Sequence, residues 1–180
     1  MNPYKVTERA MDELHDRILP QIPKIFREEA FDRVAWRVHQ EEKALRCCPY
    51  TYALLIVDEV IKELRYHRIE AVLYDNWCCS CCAWLLNLTI EPQTELVGFY
   101  WNDDAELPPF DDAEALSMRM IVAPKWGRYV CLEMLRKHAM EWGFWIWECP
   151  DGSLKLIGLD HEPDDLYAAS APIINIIVDK

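Results

Sequence analysis

The chain has 180 residues, 52% of them hydrophobic, with eight Trp and only five Gly, which is too much apolar side chain for a disordered polymer. Its formal charge of −12 opposes direct nucleic-acid binding, because a field of that sign repels phosphate backbones. No apolar run reaches the ~20 residues of a membrane helix, and "MNPYKVTERAMDELHDRILP" contains no apolar signal segment.

The expectation is therefore a soluble intracellular protein, cytoplasmic or, if viral, in the host cytoplasm or the virion. A single domain over residues 1–180 is long enough to bury a core without a disulfide or a metal. It divides into a helical part (1–68) and a sheet part (69–180).

In "TERAMDELHDRIL" the apolar residues Ala10, Met11, Leu14, Ile18 and Leu19 recur at three- and four-residue spacing, with Thr7 as N-cap and Pro20 as stop. "KIFREEAFDRVAWRVHQEEKAL" (24–45) and "TYALLIVDEVIKELRYH" (51–67) repeat the pattern, so three amphipathic helices are predicted. From residue 69 the period changes. "IEAVLY", "AWLLNLTI" and "ELVGFYW" read as strands, and the last two form a hairpin candidate around "EPQT".

"NDDAELPPFDDAEA" (102–115) carries six carboxylates and two adjacent prolines, which predicts an exposed loop. A strand "MRMIVA", a crossover helix over about 128–142 and a strand "GFWIWE" follow, with Gly143 placed to stop the helix. A turn "CPDGS", a strand "LKLIGL", one helical turn in "DDLYAA" and a last strand "PIINIIV" complete the order. Helices followed by strands with one crossover helix predict an α+β (mixed α/β) fold. Apolar Phe144 and Ile146 opposite Trp145 predict a central strand buried on both faces, although Trp142, Trp145 and Trp147 also suit a ligand pocket.

"NWCCSCCAW" (76–84) holds four of the eight cysteines, as two overlapping C-x-x-C pairs, Cys78 with Cys81 and Cys79 with Cys82. That spacing can bind zinc or exchange thiols, but no second ligand pair stands elsewhere: Cys47 and Cys48 are adjacent, and Cys131 and Cys149 are single. The segment is predicted to be buried strand at the edge of the sheet's core, with thiols used for their size, and no metal is expected. His15, His39, His67, His138 and His161 are scattered without metal spacing. "DHEPDD" (160–165) lacks the Asp-x-Asp-x-Asp-Gly order of a calcium loop and reads as a solvated acidic turn.

The segment "MIVAPKWGRYVCLEMLRKHAMEWGFWIW" resembles the central strand, loop, helix and strand of the GNAT acetyltransferase superfamily. The likeness spans about residues 83–178: Val122, Ala123 and Pro124 match the strand end, Leu132 and Leu135 the buried helix face, and Ala139 with Gly143 the closing step. It implies a GNAT-like mixed sheet. For an acyl-CoA-dependent N-acyltransferase using acetyl-CoA, it implies Tyr167 as general acid, Val122 and Ala123 beside the pantetheine arm, and Gly127 and Arg128 at the phosphates.

The interval from Pro124 to Ala139 is about four residues shorter than the family pattern, and what is missing is the glycine-rich, phosphate-binding loop. In this the sequence is similar to short acetyltransferase-like proteins of bacteriophage virions. The leading expectation is a non-catalytic protein-interaction or assembly module without cofactor. The N-acyltransferase is one alternative, and an acidic inhibitor that imitates nucleic acid is another. Residues 76–180 carry 7 basic and 17 acidic side chains, against 12 and 14 in residues 1–75. A protein partner, either basic or part of a larger assembly, is therefore expected to meet Asp103, Asp104, Glu106, Asp111, Asp112 and Glu114.

Overall fold

The Thr7 hydroxyl accepts the Ala10 N–H at 3.2 Å, which satisfies one of the free amides that open a helix. α1 (Glu8–Ile18) thus begins at its predicted cap and buries Ala10, Met11, Leu14 and Ile18. The computed structural model describes residues 2–89, 107–110 and 116–178. The single helix predicted over 24–45 is broken into α2 (Ile22–Ile25), a 3-10 turn at Glu28–Ala30 and α3 (Phe31–Leu45). Phe26 and Arg27 take extended ψ values of 154° and 155°, where no helix can continue.

α4 (Tyr50–Tyr66) departs from the amphipathic expectation. Every residue from Tyr50 to Asp58 is buried, as are Val60, Ile61 and Leu64, so α4 is the inner helix of the fold. α1 is fixed to it by Arg17, whose Nη1 lies 2.7 Å from both the fully buried Asp58 and Glu59.

β1 (Glu70–Tyr74) leads through a 3-10 turn (Asp75–Cys79) into α5 (Cys81–Leu85). The cysteine segment is therefore helical and "AWLLNLTI" begins as the end of α5, which corrects the strand expectation; among its described residues only Thr89 makes a β-bridge, to Leu73. The proposed partner strand "ELVGFYW" lies outside the described residues. β2 (Met118–Ala123), α6 (Gly127–Glu141), β3 (Phe144–Glu148), β4 (Leu154–Gly158), a 3-10 turn at Leu166–Ser170 and β5 (Ile173–Val178) follow as expected. Gly143 closes α6 with φ +84°, a left-handed value that glycine adopts at no steric cost.

The fold is α+β: N-terminal helices precede a mixed sheet of order β1-β2-β5-β4-β3. β2 and β5 are parallel, and the other neighbours are antiparallel. α6 therefore joins two parallel strands that have β5 and β4 between them. α4 and α6 pack against each other, α4 on β1 and α6 on β2, β3 and β5, over the buried residues Leu73, Met120, Val122, Ile174, Leu156 and Phe144.

β3 is an edge strand among those described, and its Trp145 and Trp147 are half-buried. The central position read from its two apolar faces is thereby corrected. Between the helices, His138 Nε2 lies 2.7 Å and Lys137 Nζ 3.0 Å from Glu63, and those two donors, in that order, hold the Glu63 carboxyl below its ordinary range.

Gly127, the first residue of α6, has no room for a side chain: a Cβ would stand 2.8 Å from Ile69 Cγ2 and 3.0 Å from Val122 Cγ1. Both obstacles are methyls of buried β-branched residues with stiff χ1 angles. Overpacking of about 1–3 kcal/mol then outweighs the preference of about 1 kcal/mol for Ala over Gly in a helix. Gly127→Ala is expected to lower the urea midpoint by the equivalent of up to about 2 kcal/mol with an unchanged slope. A midpoint at or above that of the parent protein would refute this packing account.

Candidate functional site

The residues proposed for acyl-CoA lie where β2 ends and α6 begins. Val122 is fully buried and in register with Ala71 of β1 on one side and Val178 of β5 on the other. Ala123 is paired with Glu70. A strand with partners along both edges has its backbone groups committed to the ladder. The first amides of α6 are also taken up locally: Gly127 N–H donates to Pro124 O at 2.8 Å, Arg128 to Lys125 O at 3.4 Å and Tyr129 to Trp126 O at 3.3 Å. These are the groups that would otherwise face an anion at a helix start.

Tyr167 lies in the Leu166–Ser170 turn just before β5 and meets the His161 ring edge-on at 5.3 Å. β5 begins beside the start of β2, since Met118 is in register with Ile174. Gly127 and Arg128 follow the end of β2. Six strand residues, about 17–20 Å, therefore separate Tyr167 from them. The structure groups Val122, Ala123, Gly127 and Arg128 and leaves Tyr167 at the opposite end of the sheet. The acidic set Asp103, Asp104, Glu106, Asp111, Asp112 and Glu114 lies outside the described residues.

An open cleft of about 1030 Å³ occupies that opposite end, between the N-terminal segment and the start of β3. Tyr52, Trp142 and Phe144 form its aromatic wall, and Lys5, Arg46 and Asp160 give it mixed charge. The Arg9 guanidinium lies 5.3 Å above the Trp142 ring. Of the three tryptophans that suited a pocket, only Trp142 reaches this cleft, and none of the residues assigned to acyl-CoA or to its general acid lines it.

The cysteine segment is organised by a partner that its own sequence does not contain. Glu41 on α3 is fully buried, with Arg37 Nε 2.9 Å from its Oε1. Oε1 also accepts the Cys81 N–H at 2.8 Å, while Oε2 accepts the Ser80 hydroxyl at 2.7 Å and the Cys82 N–H at 3.0 Å. Ser80 Oγ accepts the Ala83 N–H at 3.1 Å, so all of the first three amides of α5 are satisfied. A redox C-x-x-C uses a helix start to stabilise a thiolate; here a carboxylate occupies it. Burial first and Glu41 second push the Cys81 and Cys82 thiols well above their ordinary range. Those two side chains are core, whereas Cys79 is exposed and Cys78 half-buried.

Sequence reasoning did not find Glu41, which reads as one more charge on the polar face of α3. The available signal was Arg37 four residues earlier, on a face shared with Val34, Val38 and Leu45. Among the described residues no group of three or more His, Cys, Asp or Glu side chains is arranged to hold a metal ion. No family model, curated protein or solved structure matches this chain.

Glu41→Ala leaves Arg37 buried without its carboxylate and strips α5 of its cap, so a loss of about 3–5 kcal/mol is expected in urea unfolding. A loss below about 1 kcal/mol would show that the pair is dispensable. Thiol titration reads the same region from outside. Cys47 and Cys79 should react rapidly in the native protein, Cys78 and Cys149 more slowly, and Cys48, Cys81, Cys82 and Cys131 only on unfolding. Rapid labelling of Cys81 or Cys82 would contradict their place in the core.

Proposed function

We propose that this chain is a non-catalytic protein-interaction or assembly module, in the manner of the short acetyltransferase-like virion proteins that its sequence resembles. One observation carries the reading: the place where the resemblance would seat acyl-CoA is filled by the chain's own atoms. Val122 is paired on both edges, and the space at Gly127 is closed by Ile69 and Val122. The amides of the first α6 residues are spent on Pro124, Lys125 and Trp126.

A pantetheine arm needs a strand edge that can accept it, and a pyrophosphate needs free amides. The distance from Tyr167 to this point adds support, since an acid must reach the reacting group to within hydrogen-bond range. Titration of acetyl-CoA by calorimetry tests the reading, with no saturable heat expected at millimolar ligand. Saturable binding in the micromolar range would overturn it and restore the N-acyltransferase.

A further inference from the structure

Two short segments distant in sequence, "RYHRI" (65–69) and "PKWGRY" (124–129), meet at the end of the sheet where β1 starts and β2 stops. Glu70 is in register with Ala123, and Ile69 closes the space beside Gly127. Together they expose three large rings: Tyr66 is 84%, Trp126 58% and Tyr129 75% accessible. Arg68, Lys125 and Arg128 are exposed with them, and neither segment contains a carboxylate. The Arg and Lys ion pairs among the described residues are made by Arg17, Arg37, Lys62, Arg119, Arg136 and Lys137. The cations of this patch are not among them. Aromatic and cationic side chains gathered on one exposed surface mark an interaction site for an acidic partner.

The opposite end of the sheet carries its complement. Leu154, the first residue of β4, is in register with Ile174, and Ile174 with Met118, so β4 runs on past the start of β2 and the segment that follows Gly158 lies beyond that end. In "LDHEPDDL" (159–166), Asp160, Glu162, Asp164 and Asp165 are exposed, between Leu159 at 50% and Leu166 at 84% accessibility. Asp165 bonds His161 and the Leu166 N–H, which fixes the shape of the loop and leaves the other three carboxylates pointing outward from it. The length of the sheet, about 17–20 Å, separates the two surfaces, so one molecule cannot bring them together.

We propose that the aromatic and basic surface formed by Tyr66, Arg68, Lys125, Trp126, Arg128 and Tyr129 binds the acidic loop 159–166 of a second copy of this chain. Asp160, Glu162 and Asp164 meet Arg68, Lys125 and Arg128, while Leu159 and Leu166 cover the exposed rings. The contact is heterologous, using different surfaces on the two copies, so each added chain presents a fresh face and growth is head to tail. A single-stranded nucleic acid would also stack on such rings, but a net charge of −12 opposes a polyphosphate, and the acidic loop is supplied by the chain itself. The inference rests on the assembly reading above and names its partner.

Sedimentation velocity of the full chain over a wide concentration range, at low and high salt, tests it. The wild type should associate with rising concentration and dissociate with added salt. The variants R68E/R128E and D160K/D164K should each remain monomeric, with circular dichroism confirming that both are folded. Mixed together they should associate again, because the intact acidic loop of the first meets the intact basic surface of the second; K125E supplies a milder version of the first if that variant fails to fold.

A wild type that is monomeric at every concentration, or association untouched by these substitutions, would overturn the proposal. So would a monomer that binds oligo-dT through the patch and loses it in R68E/R128E. The acetyl-CoA titration is a separate readout: saturable binding there removes the non-catalytic reading and leaves the contact standing, and the converse also holds.

Discussion

A helix buried on nearly all sides requires neighbours on all sides, and that requirement at α4 arranges this protein. Its first turn places Tyr50 so that the hydroxyl accepts the Ile173 N–H at 3.0 Å, and Tyr52 so that its hydroxyl donates to Lys5 O at 3.2 Å. One turn of helix thereby ties β5, at the C-terminal end of the described chain, to the segment that precedes α1. Buried hydroxyls must be paired, so these contacts fix position as well as contributing burial. Asp58, deeper along α4, takes Arg17 of α1 and Lys62 of its own next turn. Breaking one partner of such a buried pair costs far more than the pair contributes over an apolar replacement, so its role is in positioning.

Elements with a clean period were legible in the sequence. α1 and α6, and β1 to β5, follow from apolar spacing together with Thr7 and Gly143 as punctuation. The misreadings share a cause. "NWCCSCCAW" and "AWLLNLTI" are apolar in both periods, so the pattern could not separate strand from helix. The form of the first is decided by Glu41, some forty residues away, which accepts the Cys81 and Cys82 amides at the start of α5. Likewise, Trp145 lies on an edge strand because the order β1-β2-β5-β4-β3 puts it there, and strand order is a property of long-range pairing that no local window contains.

The candidate site was legible only in part, for a related reason. Val122, Ala123, Gly127 and Arg128 are near each other because they are near in sequence. Tyr167 is remote because β5 returns beside β2 in parallel, so the turn that precedes β5 lies at the start of β2. The resemblance implies Gly127 at the phosphates; in the structure the absence of its side chain is used for close packing of α6 on Ile69 and Val122. Glycine serves either purpose, and only the neighbouring atoms distinguish them.

Charge shows the same dependence on topology. Residues 65–69 and 124–129 are each too short to alter the balance of a chain at −12, and neither reads as a site when taken alone. The antiparallel pairing of β1 with β2 brings the start of one beside the end of the other and so sums two small basic stretches into one surface. The hairpin of β3 and β4 is open at the other end, where Phe144 is in register with Gly158, and so places the acidic residues 159–166 there. At physiological ionic strength exposed charges interact over about 8 Å, less than half the length of the sheet. The two ends therefore act as independent surfaces, and net charge is a poor guide to what either will meet. A chain that is acidic overall can present a cationic, aromatic face at one end because its fold, and not its composition, decides which charges are neighbours.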